Sequence, residues 1–286
     1  MMFDCIIGLG QAGVAIATEF ANFEEYPLIY RLDSAEIETK NSKCIDIPLS
    51  SQIRVEDFEE RIPNLKKYFK KIKDKNKVLF VLCGGGAISM ASLAILEQIP
   101  SRNITVLYIR PDIEFLGAEA KLRENLSFNV FQEYARSGLF TRLYIISNLL
   151  IESAMGGVSI ISYFDKINKT IVNTFYMMNR FQNMKPVVAT TSELDIGTRI
   201  STFGLVDEET KEEKMFYYLD IPTDVVYYFA YNESVLKSDV SLLSQIKNTV
   251  KEKIASGISS VSYGVFATNY DSAFIICTCH TSLVQL

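Results

Sequence analysis

Residues 8–13 read GLGQAG, placed between the apolar run 3–7 and a helical-looking stretch, VAIATEFANF. A glycine-rich turn between a strand and a helix aims backbone N–H groups at a ligand, and the helix adds the positive end of its dipole; the chemistry on offer is phosphate binding. Taken alone the run satisfies only G-x-G-x-x-G, a pattern common by chance. A dinucleotide site also asks for an acid about 20 residues further on, at the end of the second strand, and Asp33 supplies it. A second cluster, Gly84, Gly85 and Gly86, follows the apolar run 77–83 and precedes another helical pattern. Two such turns at the ends of separate strands look like a pocket wrapped around a di- or triphosphate. Neither is a P-loop, because G-x-x-x-x-G-K-[ST] is absent and no lysine follows either cluster.

The other reactive side chains offer less. His280 is the only histidine, which excludes any mechanism that needs two, and its place beside the last strand-like run makes a general base unattractive. Five cysteines (Cys5, Cys44, Cys83, Cys277, Cys279) lie mostly in strand-like runs. The single-residue spacing of Cys277 and Cys279 puts both on one face of a strand and does not match a metal knuckle, so reduced core thiols are expected and no metal site is assigned to side chains.

The elements that must hold the glycine turns form an alternating series. Strand candidates are FDCIIG, YPLIYRLD, KCIDIPL, KVLFVLC (77–83), NITVLYIRP and TRLYIIS (141–147). Helical patterns lie between them at 14–23, 56–72 (bent or split by Pro63), 88–98 and 117–137. Strands separated by crossover helices read as a parallel, doubly wound α/β sheet. A long helical pattern at 158–185 would span about 40 Å. Its apolar residues fall on more than one side, as expected of a helix sandwiched between two lobes. Beyond Pro186 the grammar changes: KMFYYLDI, DVVYYFAY, SVSYGVFATN and SAFIICTCHT are tyrosine-rich strand candidates with one helix, 238–255, among them. They suggest an α+β second domain whose tyrosines pack across strands.

The chain has 286 residues and a formal net charge of −5, so it offers no global positive field for nucleic acid. The dense basic run LKKYFKKIKDKNK at 65–77 reads as the solvated face of an amphipathic helix. No run approaches the roughly 18 apolar residues of a membrane span, and a cytoplasmic location is expected.

At this point the sequence resembles the tubulin and FtsZ superfamily of GTP-dependent, filament-forming proteins. GQAGVAI at 10–16 is similar to the family's GQAGVQI, with Gln11 on the motif glutamine and Ala15 in place of the later one. The signature loop GGGTG[ST]G falls on residues 84–90, where Ala87, Ile88 and Met90 replace its threonine and glycines and Ser89 keeps one hydroxyl. LYIRPDIEFLGAEAKLRE resembles the stretch around TKPF-x-FEG, with Pro111, Phe115 and Gly117 in step. LYIISNLL resembles LIVIPNDxLL and puts Asn148 near the nucleotide. The long helix would be the family's central helix, with Phe164 and Asn168 as its guanine-holding pair; four residues apart, a ring and an amide share one helical face. ELDIGTR falls on the loop N-x-D-x-x-[DE], giving Glu193, Asp195 and Thr198.

The resemblance implies a Rossmann-like GTPase domain over 1–157, a central helix over 158–185 and a second α+β domain over 186–286. It implies GTP or GDP with Mg2+, held by Gly10, Gln11, Ala12, Gly13, Gly84, Gly85, Gly86, Ser89, Asn148, Phe164 and Asn168. Asp195 and Glu193 are the catalytic candidates, acting on the next subunit in a head-to-tail homopolymer, with hydrolysis slowed, altered or absent. No direct nucleic-acid partner, membrane span or C-terminal adaptor tail is expected. Two other readings stay open: a nucleotide-independent assembly protein with a degenerate site, and an NAD-dependent oxidoreductase resting on GLGQAG and Asp33.

Overall fold

The computed structural model describes residues 3–26, 28–33, 62–190 and 197–285. Strands β1 (Cys5–Leu9), β2 (Ile29–Leu32), β3 (Lys77–Cys83), β4 (Asn103–Arg110) and β5 (Arg142–Ser147) pair in parallel in the order β2-β1-β3-β4-β5. Both faces of this part are covered, which is why its strands are apolar almost throughout. Along β3, Val78, Phe80 and Leu82 point into one core and Leu79 and Val81 into the other. The second half adds β6 (Val188–Thr190), β7 (Ile200–Val206), β8 (Glu213–Met215), β9 (Asp224–Asn232), β10 (Ser260–Thr268) and β11 (Phe274–Thr281). Among the described residues all eleven strands form one sheet: β5 pairs with β7 in parallel, and the order continues β11-β9-β10-β6, with β8 beside β7.

Seven helices cover the two faces among the described residues: α1 (Gly10–Phe20), α2 (Ser92–Leu96), α3 (Ala118–Arg136), α4 (Asn148–Ala154), α5 (Tyr163–Asn183), α6 (Glu233–Ser238) and α7 (Leu242–Ala255). One face is packed by α1 and α5, the other by residues 65–72, α2, α3 and α7. Helix α5 joins the halves of the sheet from a single face. Phe175 meets Tyr144 of β5 and Phe203 of β7, while Phe181 stacks on Phe266 of β10 at 4.8 Å. Each such side chain contributes about 1.5–3 kcal/mol relative to exposure.

Several expectations change. The long helix is α5 alone, preceded by a 3-10 turn, Ile160–Ser162, and by Gly156 and Gly157 at φ 71° and 106°, which break helical geometry. Ile160 and Ile161 are exposed, so the apolar residues on its far side are not core. Of the helix expected at 56–72, residues 62–72 form turns and a 3-10 segment, Phe69–Lys71. Pro63 cannot continue a helix, and the Asn64 side chain takes the Lys66 N–H at 3.1 Å, starting a turn instead. The apolar spacing of Leu65, Phe69 and Ile72 is real, and all three are buried. KCIDIPL lies outside the described residues. The helix expected at 88–98 is split into the 3-10 turn Ile88–Ala91 and α2, and KMFYYLDI gives a strand only at β8. Second-half tyrosines do pack across strands, Tyr263 of β10 meeting Phe229 of β9 edge-on at 6.4 Å, while Tyr218 and Tyr270 are exposed. Cys5, Cys83, Cys277 and Cys279 are free thiols, and burial pushes Cys83 up to about 12. No helix among the described residues is long and apolar enough to cross a membrane.

Candidate functional site

The strand order reverses between β1 and β3, and in an open parallel sheet ligands bind outside the carboxyl ends of the strands at such a switch point. Both glycine turns open there: one leads from β1 into α1, the other follows β3. Helix α1 starts at Gly10, earlier than the spacing suggests, so Gln11, Ala12 and Gly13 occupy its first turn. Gly10 has φ 71°, a conformation costly for any residue with a Cβ. Leu9, the residue before it, offers no side-chain cap, and the first turn carries no acid. The leading N–H groups of α1 are thus left for an external acceptor, as an anion site requires. Gln11 is exposed at this edge and Ala12 is half-buried.

The second turn is held from below. The Gly84 N–H donates to the Ile109 carbonyl at 3.0 Å, and Arg123 Nε donates to the Gly85 carbonyl at 3.1 Å. Under Gly84 lies Glu124 of α3, fully buried, which accepts a hydrogen bond from the Tyr108 hydroxyl at 2.8 Å and faces Arg110 Nε at 3.5 Å. Burial raises the Glu124 carboxyl above its ordinary value, and the Tyr108 hydrogen bond and the Arg110 charge offset part of that rise. Arg110 is fixed by a hydrogen bond to the Tyr217 hydroxyl at 2.9 Å and lies over the Phe128 ring at 4.1 Å. A Cβ at position 84 would lie 1.6 Å from Glu124 Oε2, so any residue but glycine must displace the buried carboxylate. Sequence reasoning missed Glu124, Arg110 and Arg123; the adjacent Arg-Glu pair on a helical pattern was the visible signal, and it reads equally well as surface.

Residues 86–89, after the second glycine turn begins, have identifiable places in the structure. Ile88 is buried, and its Cγ2 is 2.9 Å from where a Cβ on Gly10 would be, so this side chain packs between the two turns. Ser89 is buried and donates its hydroxyl to the Cys83 carbonyl, within the loop itself. Gly86 is exposed at the turn's outer side.

The remaining candidates line the same edge. Asn148 opens α4 at the carboxyl end of β5 and is half-buried. Phe164, 68% exposed, and half-buried Asn168 lie in the first two turns of α5. Tyr163, which meets Phe164 edge-on at 5.1 Å, donates to Glu152 of α4 at 2.9 Å and so ties the start of α5 to the β5 end. Thus Gly10, Gln11, Ala12, Gly13, Gly84, Gly85, Gly86, Ser89, Asn148, Phe164 and Asn168 share one edge of the sheet. Glu193 and Asp195 lie outside the described residues. Thr198 is at the opposite edge: its carbonyl accepts from Arg142, the first residue of β5, at 2.9 Å. Asp33 is at the end of β2, half-buried.

His280 is buried away from this edge. Its Nδ1 faces Arg142 Nη1 at 2.8 Å and Ser201 Oγ at 2.7 Å, and its Nε2 faces Thr278 Oγ1 at 3.0 Å. Arginine can only donate, so Nδ1 accepts and the proton sits on Nε2. Burial, with the Arg142 charge adding to it, holds the imidazole pKa well below its ordinary value.

No protein-family model and no curated protein sequence matches the chain. Solved structures do. An empty FtsZ dimer from M. jannaschii matches at TM-score 0.67 and 12% identity, covering 98% of this chain and 89% of that one. A GTPγS-form protofilament of TubZ from Bacillus thuringiensis serovar israelensis matches at 0.68 and 14%, covering 99% and 87%. The GDP-bound monomer of CetZ1 from Haloferax volcanii matches at 0.68 and 17%, covering 99% and 94%. Identities this low speak to architecture alone, and since the match takes in the parallel half, the crossing helix and the mixed half together, the chain has the tubulin/FtsZ superfamily fold.

Proposed function

We propose that the chain binds GTP at the carboxyl edge of its parallel strands and stacks head to tail into filaments. The observation that carries this reading is a separation of parts. The glycine turns and the uncapped start of α1 occupy one edge, whereas Thr198, three residues after Asp195 in sequence, is anchored at the other. With Thr198 held at the far edge, Asp195 is better assigned to the site of a neighbouring copy than to its own. The heterologous contact this demands builds open filaments unless its rotation closes a ring.

In this reading Gly10, Gln11, Ala12 and Gly13 present N–H groups to the phosphates, and Gly84, Gly85 and Gly86 face the terminal ones. Ser89 contributes through the shape of the loop, since its hydroxyl is engaged with Cys83. Asn148 lies near the nucleotide, Phe164 packs on the base and Asn168 meets the base edge. Asp195 orients the attacking water in the neighbour's site, with Glu193 assisting. Among the described residues no group of three metal-ligating side chains forms, so Mg2+ would come with the polyphosphate and offset its repulsion of the two carboxylates. Binding of GTP measured against ATP and NAD, with sedimentation in parallel, tests the reading; a folded protein that ignores GTP refutes its nucleotide part.

A second reading is favoured by Ile88, whose packing against Gly10 narrows the space between the turns: filaments that need no nucleotide. It predicts sedimentation without GTP and after Asp195→Ala. NAD binding lost in Asp33→Ala would instead support the dinucleotide alternative.

A further inference from the structure

The two ends of β3 and β4 carry opposite chemistry. At the starting end is the run 66–77, with seven lysines and one acid, every lysine exposed. Its last turn is stitched to the start of β4: the Ser101 hydroxyl donates to the Asp74 carbonyl at 3.3 Å and Asn103 Nδ2 donates to the Lys75 carbonyl at 3.4 Å. Arg102, almost fully exposed, adds a further cation there, held 4.0 Å from Asp74. Beside this collar opens a cleft of about 310 Å³ between the starts of β3, β4 and β5 and the last turns of α5. Lys77, Asn103 and Arg142 are on its wall, and half-buried Phe3 gives it an aromatic side chain in front of the core residues Tyr144 and Phe175.

At the finishing end of β4, residues 111–119 contain Asp112, Glu114 and Glu119 and no cation. Asp112 caps the 3-10 turn Ile113–Phe115 by accepting the Glu114 N–H at 3.0 Å, and the turn thrusts Phe115 into solvent, 88% exposed. Glu119 is also exposed, with Arg123 at 3.5 Å. Ile160 and Ile161, on the same edge, are almost fully exposed. Three large apolar side chains left in solvent at one edge give a partner apolar surface to cover.

We propose that the acidic turn around Phe115 seats in the basic-rimmed cleft of a second copy of this chain, Phe115 entering the cleft beside Phe3 and Glu114 and Glu119 facing the collar at Lys73 and Lys75. This rests on the head-to-tail reading and says which surfaces meet. Knob and cleft terminate the same pair of strands, roughly 25 Å apart, so repeating the contact advances each copy along the strand direction. Complementary charge sets register and encounter rate, and ordinary salt screens it.

The test uses four full-length chains: wild type, Phe115→Ala, Lys73→Glu/Lys75→Glu, and the swap Lys73→Glu/Lys75→Glu/Glu114→Lys/Glu119→Lys. Each is measured for GTP binding and for the concentration at which it begins to sediment. The expected result is unchanged GTP binding throughout, a rise of at least about tenfold in that concentration for the second and third chains, and recovery in the swap. Wild-type assembly with all variants alike overturns the knob and cleft while leaving head-to-tail stacking standing. A wild type that never assembles overturns both. A lysine reversal that spares assembly but abolishes binding of a DNA duplex assigns the collar to a polyanion and overturns the proposal.

Discussion

Gly84→Ala separates what the second glycine loop owes to the core from what it owes to a ligand. The added Cβ would lie 1.6 Å from Glu124 Oε2 and 2.2 Å from the Tyr108 hydroxyl, where real Cβ contacts stay beyond 3.0 Å, so the carboxylate must retreat by about 1.4 Å. Retreat takes it off the Tyr108 hydroxyl, now at 2.8 Å, in a place where neither group can turn to water. A buried polar group left without its partner costs about 1–3 kcal/mol, and forcing extra volume into a packed site costs about 1–3 kcal/mol more. The expected destabilisation is therefore about 2–6 kcal/mol, read as a lowered urea midpoint with an unchanged slope. The same substitution in a Glu124→Ala background should cost clearly less, because the groups are in contact and their effects cannot add. A Gly84→Ala chain within about 1 kcal/mol of wild type, or one equally damaged with Glu124 removed, would refute the account of this loop as shaped from below.

Four further outcomes follow from the same geometry. Gly10→Ala forces a Cβ into left-handed backbone at φ 71° and against Ile88, and should cost about 1–2 kcal/mol of stability; trimming Ile88 to alanine in the same chain should worsen stability further while opening space between the turns, seen as tighter GTP binding in calorimetry. Phe164→Ala, at an exposed site, should leave the urea midpoint nearly unchanged but weaken GTP binding about tenfold or more, the worth of one base stacked on a ring; unchanged affinity removes Phe164 from the site. His280, depressed well below its ordinary value, contributes stability that is complete above about pH 6.5 and is lost as pH falls, at up to about 1.4 kcal/mol per pH unit; the single imidazole signal in the NMR spectrum should not titrate in the folded chain, and titration near pH 6.5 would contradict its burial. Glu124 has the opposite sign: its raised pKa favours the protonated fold, so stability falls as pH climbs from the ordinary carboxylate value through the folded one, and Glu124→Gln should flatten that slope in urea titrations.

What the sequence made legible of the fold follows from where each element gets its instructions. KVLFVLC is β3 to the residue, because a strand buried on both faces is apolar at all but its first position and so announces itself. RISTFGLV hides β7: Ser201 and Thr202 are buried with Ile200 and Phe203, so polar residues occupy core positions and no alternation survives. The partners of Ser201 arrive from distant strands, Arg142 from β5 and His280 from β11. The continuity of the sheet is less visible still, since β5 and β7 join through the pairs Leu143–Ile200 and Tyr144–Ser201 alone. The run 62–72 misled for a different reason: Leu65, Phe69 and Ile72 keep helical spacing because they are anchored to the core, and Pro63 with Asn64 sets the backbone between them.

The candidate site divides along the same line. Glycine is informative in sequence because its absence of a side chain answers a geometric demand, and both turns are at the strand ends where the motifs put them. The demand itself was hidden. At Gly84 it comes from a buried carboxylate forty residues later, on a helix whose polar and apolar residues give no sign that position 124 faces inward without water. That carboxylate also changes how residues 84–90 are to be read. Ala87, Ile88 and Met90 stand where the loop that the sequence resembles has a threonine and glycines, while Gly84 sits where a Cβ would displace Glu124 and Ile88 fills the gap toward Gly10. A loop tied to Arg123 and Ile109 and to Cys83 through Ser89, and packed over Glu124, keeps its shape from the protein's own contacts. Such a loop needs no γ-phosphate to order it, so if GTP binds here, the nucleotide's state should alter the stability of this turn less than it alters the contact made by Phe115 and the start of α5.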